Sequence, residues 1–261
     1  MRDLDLINSA AKNTRFMFSV SLIIPIFMGC VAWALAAGAS PENSIHENFL
    51  SLLGLGISFV AIISLPIPYV FRWDWETKYF GAGMLSLSSA SIIGIYPVLC
   101  IAQYSSLPAL IRFAPLFIEG LLITKWCLRF VSLYKKIYSE KKIFDFIYFE
   151  ELTAVYYSQQ ADRNVIDKVL KFQQFPDMKY FIFSGLTAFS LLPFSTTISH
   201  LIGIPFIHVF LAVFSTPLNM MILGLTTKGW LVFYFYPTKI KREKSKSVYI
   251  DISTPAKYLK H

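Results

Sequence analysis

The sequence predicts an all-α fold: a polytopic membrane helix bundle of six transmembrane helices, with an enlarged helical cytoplasmic loop between the fourth and fifth. Three observations predict it. The chain is 55% hydrophobic and only 15% charged over 261 residues, more apolar surface than one soluble core of that size can bury. Residues 79–111 and 181–227 contain no Asp, Glu, Lys or Arg, and each run exceeds the roughly 20 apolar residues that cross a bilayer. Lys and Arg gather in alternate segments between those runs, as membrane topology requires and as a nucleic-acid surface does not.

The spans so delimited are Phe16 to Gly38, Asn48 to Phe71, Tyr79 to Tyr104, Leu107 to Trp126, Tyr180 to Ser199, and Pro205 to Thr227. Segments 1–15, 72–78, 125–179 and 237–261 hold 3, 2, 10 and 7 of the 24 basic residues, with Arg112 and Lys228 the remainder. The loops 39–47, 105–106 and 200–204 hold none. Six crossings with both ends in the cytoplasm fit that alternation. Domain by domain, this gives a cytoplasmic N-terminus (1–15), helices one to four (16–126), a cytoplasmic helical loop (127–179), helices five and six with an interfacial aromatic belt (180–236), and a basic cytoplasmic tail (237–261). The N-terminus, with Asp3 and Asp5 and no small-residue cleavage site, reads as retained. The membrane would be the plasma or inner membrane in a bacterial source.

The fourth span is the least apolar, since it carries Arg112 near one end and Glu119 near its middle. Were it not to cross, the basic segment 125–179 would fall outside. Seven residues set Arg112 and Glu119 on one helical face about 10 Å apart along the axis, too far for contact in a regular helix, and Pro115 between them introduces a kink. A carboxyl at that depth faces the bundle interior or water, or stays neutral, because an exposed charge in hydrocarbon costs several kcal/mol. Two readings of Glu119 follow: an ion or proton site, and a polar contact between helices. The fifth span is rich in hydroxyls, among them Ser195 and Thr196, and is broken by Pro193; the sixth carries Pro217 beside Asn219. Broken helices with hydroxyls and amides build midplane solute sites, although Ser and Thr also bond carbonyls freed by proline. Lys228 is expected to snorkel toward headgroups beside the belt Trp230 to Tyr236.

Small residues at intervals of four, Cys30, Ala34 and Gly38 in the first span and Ser86, Ala90 and Gly94 in the third, predict close helix packing. In the loop, Asp162 to Phe172 reads as an amphipathic helix that sets Val165, Val169 and Phe172 on one face and is stopped by Pro176. Phe144 and Phe149 lie in a mixed basic and aromatic segment that extends the fourth span or lies on the membrane surface. These five are the candidate partner-docking residues.

His200 and His208 flank the turn between the last two spans, and His46 lies beside Glu42 and Glu47 in the first outer loop. Each set is an incomplete ligand set, so no metal site is assigned. Cys30, Cys100 and Cys127 read as small apolar residues. No HExxH, GxSxG, P-loop or GxGxxG pattern occurs, and no catalytic residue or cofactor is assigned. The expected partners are membrane lipid and other proteins, in the membrane and on its cytoplasmic side, with further copies of this chain among them and nucleic acid not. Three functions stay open: a non-enzymatic subunit of a secretion, transfer or defence assembly that docks partners through loop and tail; a transporter or channel for a small solute or ion centred on Glu119; and an intramembrane enzyme acting on a lipid-linked substrate.

Overall fold

A computed structural model describes residues 2–40, 42 and 47–251. His46 and positions 252–261 of the basic tail lie outside the described residues. The chain is nearly all-α, an integral membrane protein with five segments long and apolar enough to cross a bilayer among the described residues: Lys12–Ala39, Phe49–Val70, Thr77–Tyr104, Met178–Ile202 and Ile207–Lys244.

The first segment joins α1 (Arg2–Ser21) to α2 (Ile23–Ala39). The joint falls where Pro25 cannot donate to the Ser21 carbonyl. The second runs through α3 (Phe49–Ser64) and the short α4 (Ile67–Val70), broken at Pro66. The third consists of α5 (Thr77–Ser86), a 3-10 turn over Leu87–Ser91 and α6 (Ile92–Tyr104). That turn tightens where Ser86, Ser88, Ser89 and Ser91 each donate to the carbonyl three residues back, at 2.5–2.6 Å, the local competition by which serine displaces regular helix.

Helix α7 (Ala109–Ser139) is continuous for 31 residues, about 46 Å at 1.5 Å per residue. It therefore extends the fourth apolar run well beyond Trp126. It meets the length requirement for a crossing, but Arg112, Glu119 and Lys125 make it too polar to stand beside the other five on composition alone. After α7 come α8 (Lys141–Ile147), strands β1 (Tyr148–Glu150) and β2 (Val155–Tyr157), and α9 (Gln159–Asn164), which continues as a π-turn over Val165–Val169. Then α10 (Met178–Ser190), a 3-10 turn at Pro193 and α11 (Ser195–Ile202) lead to Gly203, whose positive φ of 73° closes the helix. The last long helix, α12 (Ile207–Trp230), passes through a π-turn (Leu231–Phe235) into α13 (Tyr236–Lys244) and β3 (Val248–Ile250).

Helix α12 is the hub, packed against α5, α6, α7 and α10. The tightest pair is α2 with α3, where Gly29 meets Gly54 so closely that a Cβ on Gly54 would lie 2.7 Å from the Trp33 backbone nitrogen. The buried face of α2 is Gly29, Ala32 and Ala36, not Cys30, Ala34 and Gly38, which are exposed. The expected packing stripe is thus one to two residues out of register. In the third segment Gly94 is buried against α12 as its spacing predicts.

At one end of the bundle the loops are tied by Asn48, whose amide donates to the Ala36 carbonyl (3.0 Å) while its oxygen accepts from Tyr104 (2.5 Å), and by Ser106 N–H to the Ile202 carbonyl (2.9 Å). At the other, Lys- and Arg-rich end, the loop and tail fold onto each other. Strands β1 and β2 pair antiparallel, and β2 pairs parallel with β3. Under this sheet Phe130, Tyr134, Ile137, Ile147, Val155, Tyr157, Ile166, Val232 and Ile240 form one buried core. Lys244 and Lys246 clamp Glu150 and hold its carboxyl down to about 2. Glu76 receives Lys241 (3.1 Å), and Thr77 donates to the Val248 carbonyl (3.2 Å).

Loop and tail thus form one folded unit. Phe144 is buried between Tyr138 and Tyr148, with ring centroids 5.0 and 5.2 Å away, and Val165 is buried in the core. Phe172 is half-buried on the edge of Phe130, and Phe149 stacks on Tyr156. Only Val169 stays well exposed, at 64%. It closes the π-turn just before Lys171 takes a positive φ of 45° and ends the helix, so the element buries its first turn and not a full stripe.

Candidate functional site

Four buried polar residues of α12, namely His208, Ser215, Asn219 and Thr226, are spaced seven, four and seven apart. At 100° per residue that spacing sets them within about 20° of one face, and eighteen residues rise about 27 Å, close to the thickness of a hydrocarbon core. A polar seam therefore runs down the inner face of the central helix. Its middle is closed by α6 at Gly94, where any Cβ would overlap Ser215 and Asn219. There the Asn219 amide donates to Glu119 Oε1 of α7 at 2.5 Å, and Glu119 is 5% exposed. Asn219 Oδ1, Thr226 Oγ1 and Trp126 Nε1 are buried with no protein hydrogen-bond partner, an uncommon state for buried polar atoms.

Glu119 also lines a cleft of about 470 Å³ bounded by α7, α10 and α12. Helix α10 is held to α12 by Phe189, whose ring meets Phe210 and Phe214 edge-on at 5.5 and 6.2 Å. The mouth of the cleft is formed by Ile118 and Phe183, which are 56% and 73% exposed.

A second constellation sits where the seam meets the basic end. Asp162 of α9, 1% exposed, accepts from the Tyr134 hydroxyl at 2.9 and 3.1 Å and faces Lys228 Nζ at 3.3 Å. Lys228 also donates to Gln174 at 3.0 Å. This is a correction: Lys228 turns inward to a buried carboxylate instead of snorkelling outward, because the loop brings Asp162 within reach. Burial, with the Asp162 charge behind it, pushes the Tyr134 and Tyr157 hydroxyls well above the usual phenol range. Asp162, Arg163, Gln159 and Lys228 line a cavity of about 640 Å³ floored by Met84 and Leu225. The segment expected as an aromatic belt is divided: Val232 and Tyr236 point into the core, while Tyr234 and Phe235 are exposed.

Of the residues singled out in the sequence, Glu119 and Asn219 are brought together. Arg112 is not with them; its guanidinium lies over Phe113, 5.2 Å from the ring centre. Ser195 and Thr196 lie on α11, half-buried and exposed, and neither lines the cleft. Of the serines and threonines of the fifth span, Ser184 lines it, beside Tyr180 and Phe183 of the same span. His208 is buried with Nδ1 3.0 Å from the Pro205 carbonyl and Nε2 2.9 Å from the Leu35 carbonyl, so neither nitrogen is open to a metal shared with the exposed His200. Sequence reasoning missed Asp162, Tyr134 and the seam as a whole. The spacing of His208, Ser215, Asn219 and Thr226 was the signal available for the last.

Fold and site together define a polytopic α-helical membrane protein with a polar interior and a folded subdomain at its basic end. Compared with protein-family models, with curated proteins and with solved structures, the chain matches none.

Proposed function

We propose that the chain crosses the membrane six times with both ends in the cytoplasm and carries a small solute or ion along the α12 seam, with Glu119 as its central polar group. The crossing of α7 is supported by connectivity. Glu76 pairs with Lys241 and bridges Tyr249, next to the strands that follow α7, so the loop before α5 and the loop after α7 share one side. Between them the chain passes out through α5 and α6 and must return through α7. Arg15 donates to the Trp73 carbonyl at 2.8 Å, which brings the start of the first span to that same side. That side carries nearly all the Lys and Arg, which makes it cytoplasmic. A cysteine replacing Leu152, 97% exposed at the β1–β2 turn, should react with an impermeant thiol reagent only from the cytoplasmic face; reaction from outside refutes the topology.

The observation that carries the transport reading is the membrane-deep pairing of Glu119 with Asn219 on a helix face whose polar atoms are in part unsatisfied by protein. Ionisable groups at such depth mark solute and ion pathways. The test is cation and proton flux in liposomes containing the purified chain. Glu119→Gln, which keeps the shape and removes the charge, should lower flux at least tenfold. Equal flux from both chains, or none from either, overturns the reading.

A chain without flux would favour the second reading, a non-enzymatic subunit of a membrane assembly. It is supported by the row of half-buried rings on the outer face of the sheet, where Trp75 lies 4.6 Å from Tyr249 and 5.9 Å from Tyr156. Under that reading Tyr156→Ala with Tyr249→Ala should shed a co-purifying protein, and its retention would exclude docking at this face.

A further inference from the structure

We propose that the cleft between α7, α10 and α12 binds an aliphatic ammonium compound that enters sideways from the bilayer, with its charged head on Glu119. The inference rests on Glu119 as the centre of the transport route and names the substrate class for it. Acceptors outnumber free donors in the pocket lining, where Tyr180 contributes one hydroxyl. Glu119 Oε1 is taken by Asn219, and Oε2 has no hydrogen-bond partner among the described residues. Pro217 has no N–H, so it cannot donate to the carbonyl of Val213, which also lines the cleft. The hydroxyls of Ser184 and Thr216 are already directed to the Phe181 and Ala212 carbonyls at 3.2 and 2.9 Å.

The remaining wall is aliphatic and aromatic, with Ile118, Leu122, Phe183 and Met220 prominent. A ligand matching this wall carries a hydrocarbon chain and one head group that donates hydrogen bonds. A protonated amine does so and also neutralises a carboxylate that is 5% exposed, which a buried charge in a low-dielectric site requires. An anionic amphiphile would set like charges together. A volume of about 470 Å³ accommodates a single alkyl chain. Ile118 and Phe183 at the mouth are apolar and exposed, which favours an opening toward lipid.

The experiment is equilibrium binding of radiolabelled dodecylammonium to the full chain in phosphatidylcholine nanodiscs, corrected for partition into empty discs. Saturable binding of one molecule per chain is expected, displaced by unlabelled dodecylammonium and not by dodecanoate. Glu119→Gln should weaken it at least tenfold. Leu122→Trp, which adds bulk to the cleft wall and leaves the Glu119 carboxyl in place, should weaken it similarly and guards against a folding defect in the first variant. Competition by dodecanoate, unchanged binding in both variants, or loss in Glu119→Gln alone overturns the inference. Binding without flux would sink the transport reading and leave this site standing. Glu119-dependent flux without amine binding would do the reverse.

Discussion

Gly94→Leu should disrupt the centre of the bundle, lowering stability by about 3 to 5 kcal/mol. Gly94 is where α6 crosses α12, and a Cβ there would fall inside van der Waals contact of both Ser215 and Asn219. Overpacking costs about 1 to 3 kcal/mol in a well-packed interior. Pushing Asn219 aside also breaks its bond to the Glu119 carboxyl, and hydrogen bonds to charged groups contribute about 1.5 to 3 kcal/mol. Gly56→Leu and Gly120→Leu are the controls, because nothing lies within 4 Å of a Cβ at either position. Reversible unfolding in mixed detergent micelles should show the controls within about 0.5 kcal/mol of the parent. Equal stability of Gly94→Leu and the controls would mean that the close crossing is not what holds these helices together.

The contrast among these glycines bears on what a sequence can disclose inside a membrane. Charge-free runs and the segregation of Lys and Arg are legible because water and lipid differ so strongly in how they receive charge. The choice of face is not, because lipid and protein interior are about equally apolar. That is why Cys30, Ala34 and Gly38 look as suitable for packing as Gly29, Ala32 and Ala36, and only the latter are buried. Gly94 and Asn219 were visible because a small residue and an amide each answer a need that leucine does not. Glu119 and Asn219 could be singled out separately, but their pairing spans 100 residues and has no local signature. The sheet is hidden for a similar reason. Three-residue strands have little pattern of their own, and β3 is specified by packing against β2 and by Lys244 and Lys246 reaching Glu150, so the tail reads as a solvated basic segment until its partner is known.

Asp162→Ala should be as damaging as the change at Gly94, by an electrostatic route. Asp162 is 1% exposed and answers two groups at once, the Tyr134 hydroxyl and the Lys228 ammonium, whose side chain is 20% exposed. Deleting it leaves a phenol without an acceptor and a cation at the membrane boundary without its counter-ion. Removing one partner of a buried pair costs about 3 to 5 kcal/mol, mostly the cost of stranding the other. If stranding is the cause, removing Lys228 as well should relieve it. Asp162→Ala combined with Lys228→Met should therefore recover at least about 1 kcal/mol relative to the sum of the single changes. Denaturant unfolding followed by tryptophan fluorescence measures all four chains on one scale. Strict additivity would mean that Asp162 acts through Tyr134 alone. A positive coupling would make this pair the joint by which the subdomain at the basic end is held to the central helix, because Lys228 lies on α12 two residues beyond the last polar group of the seam.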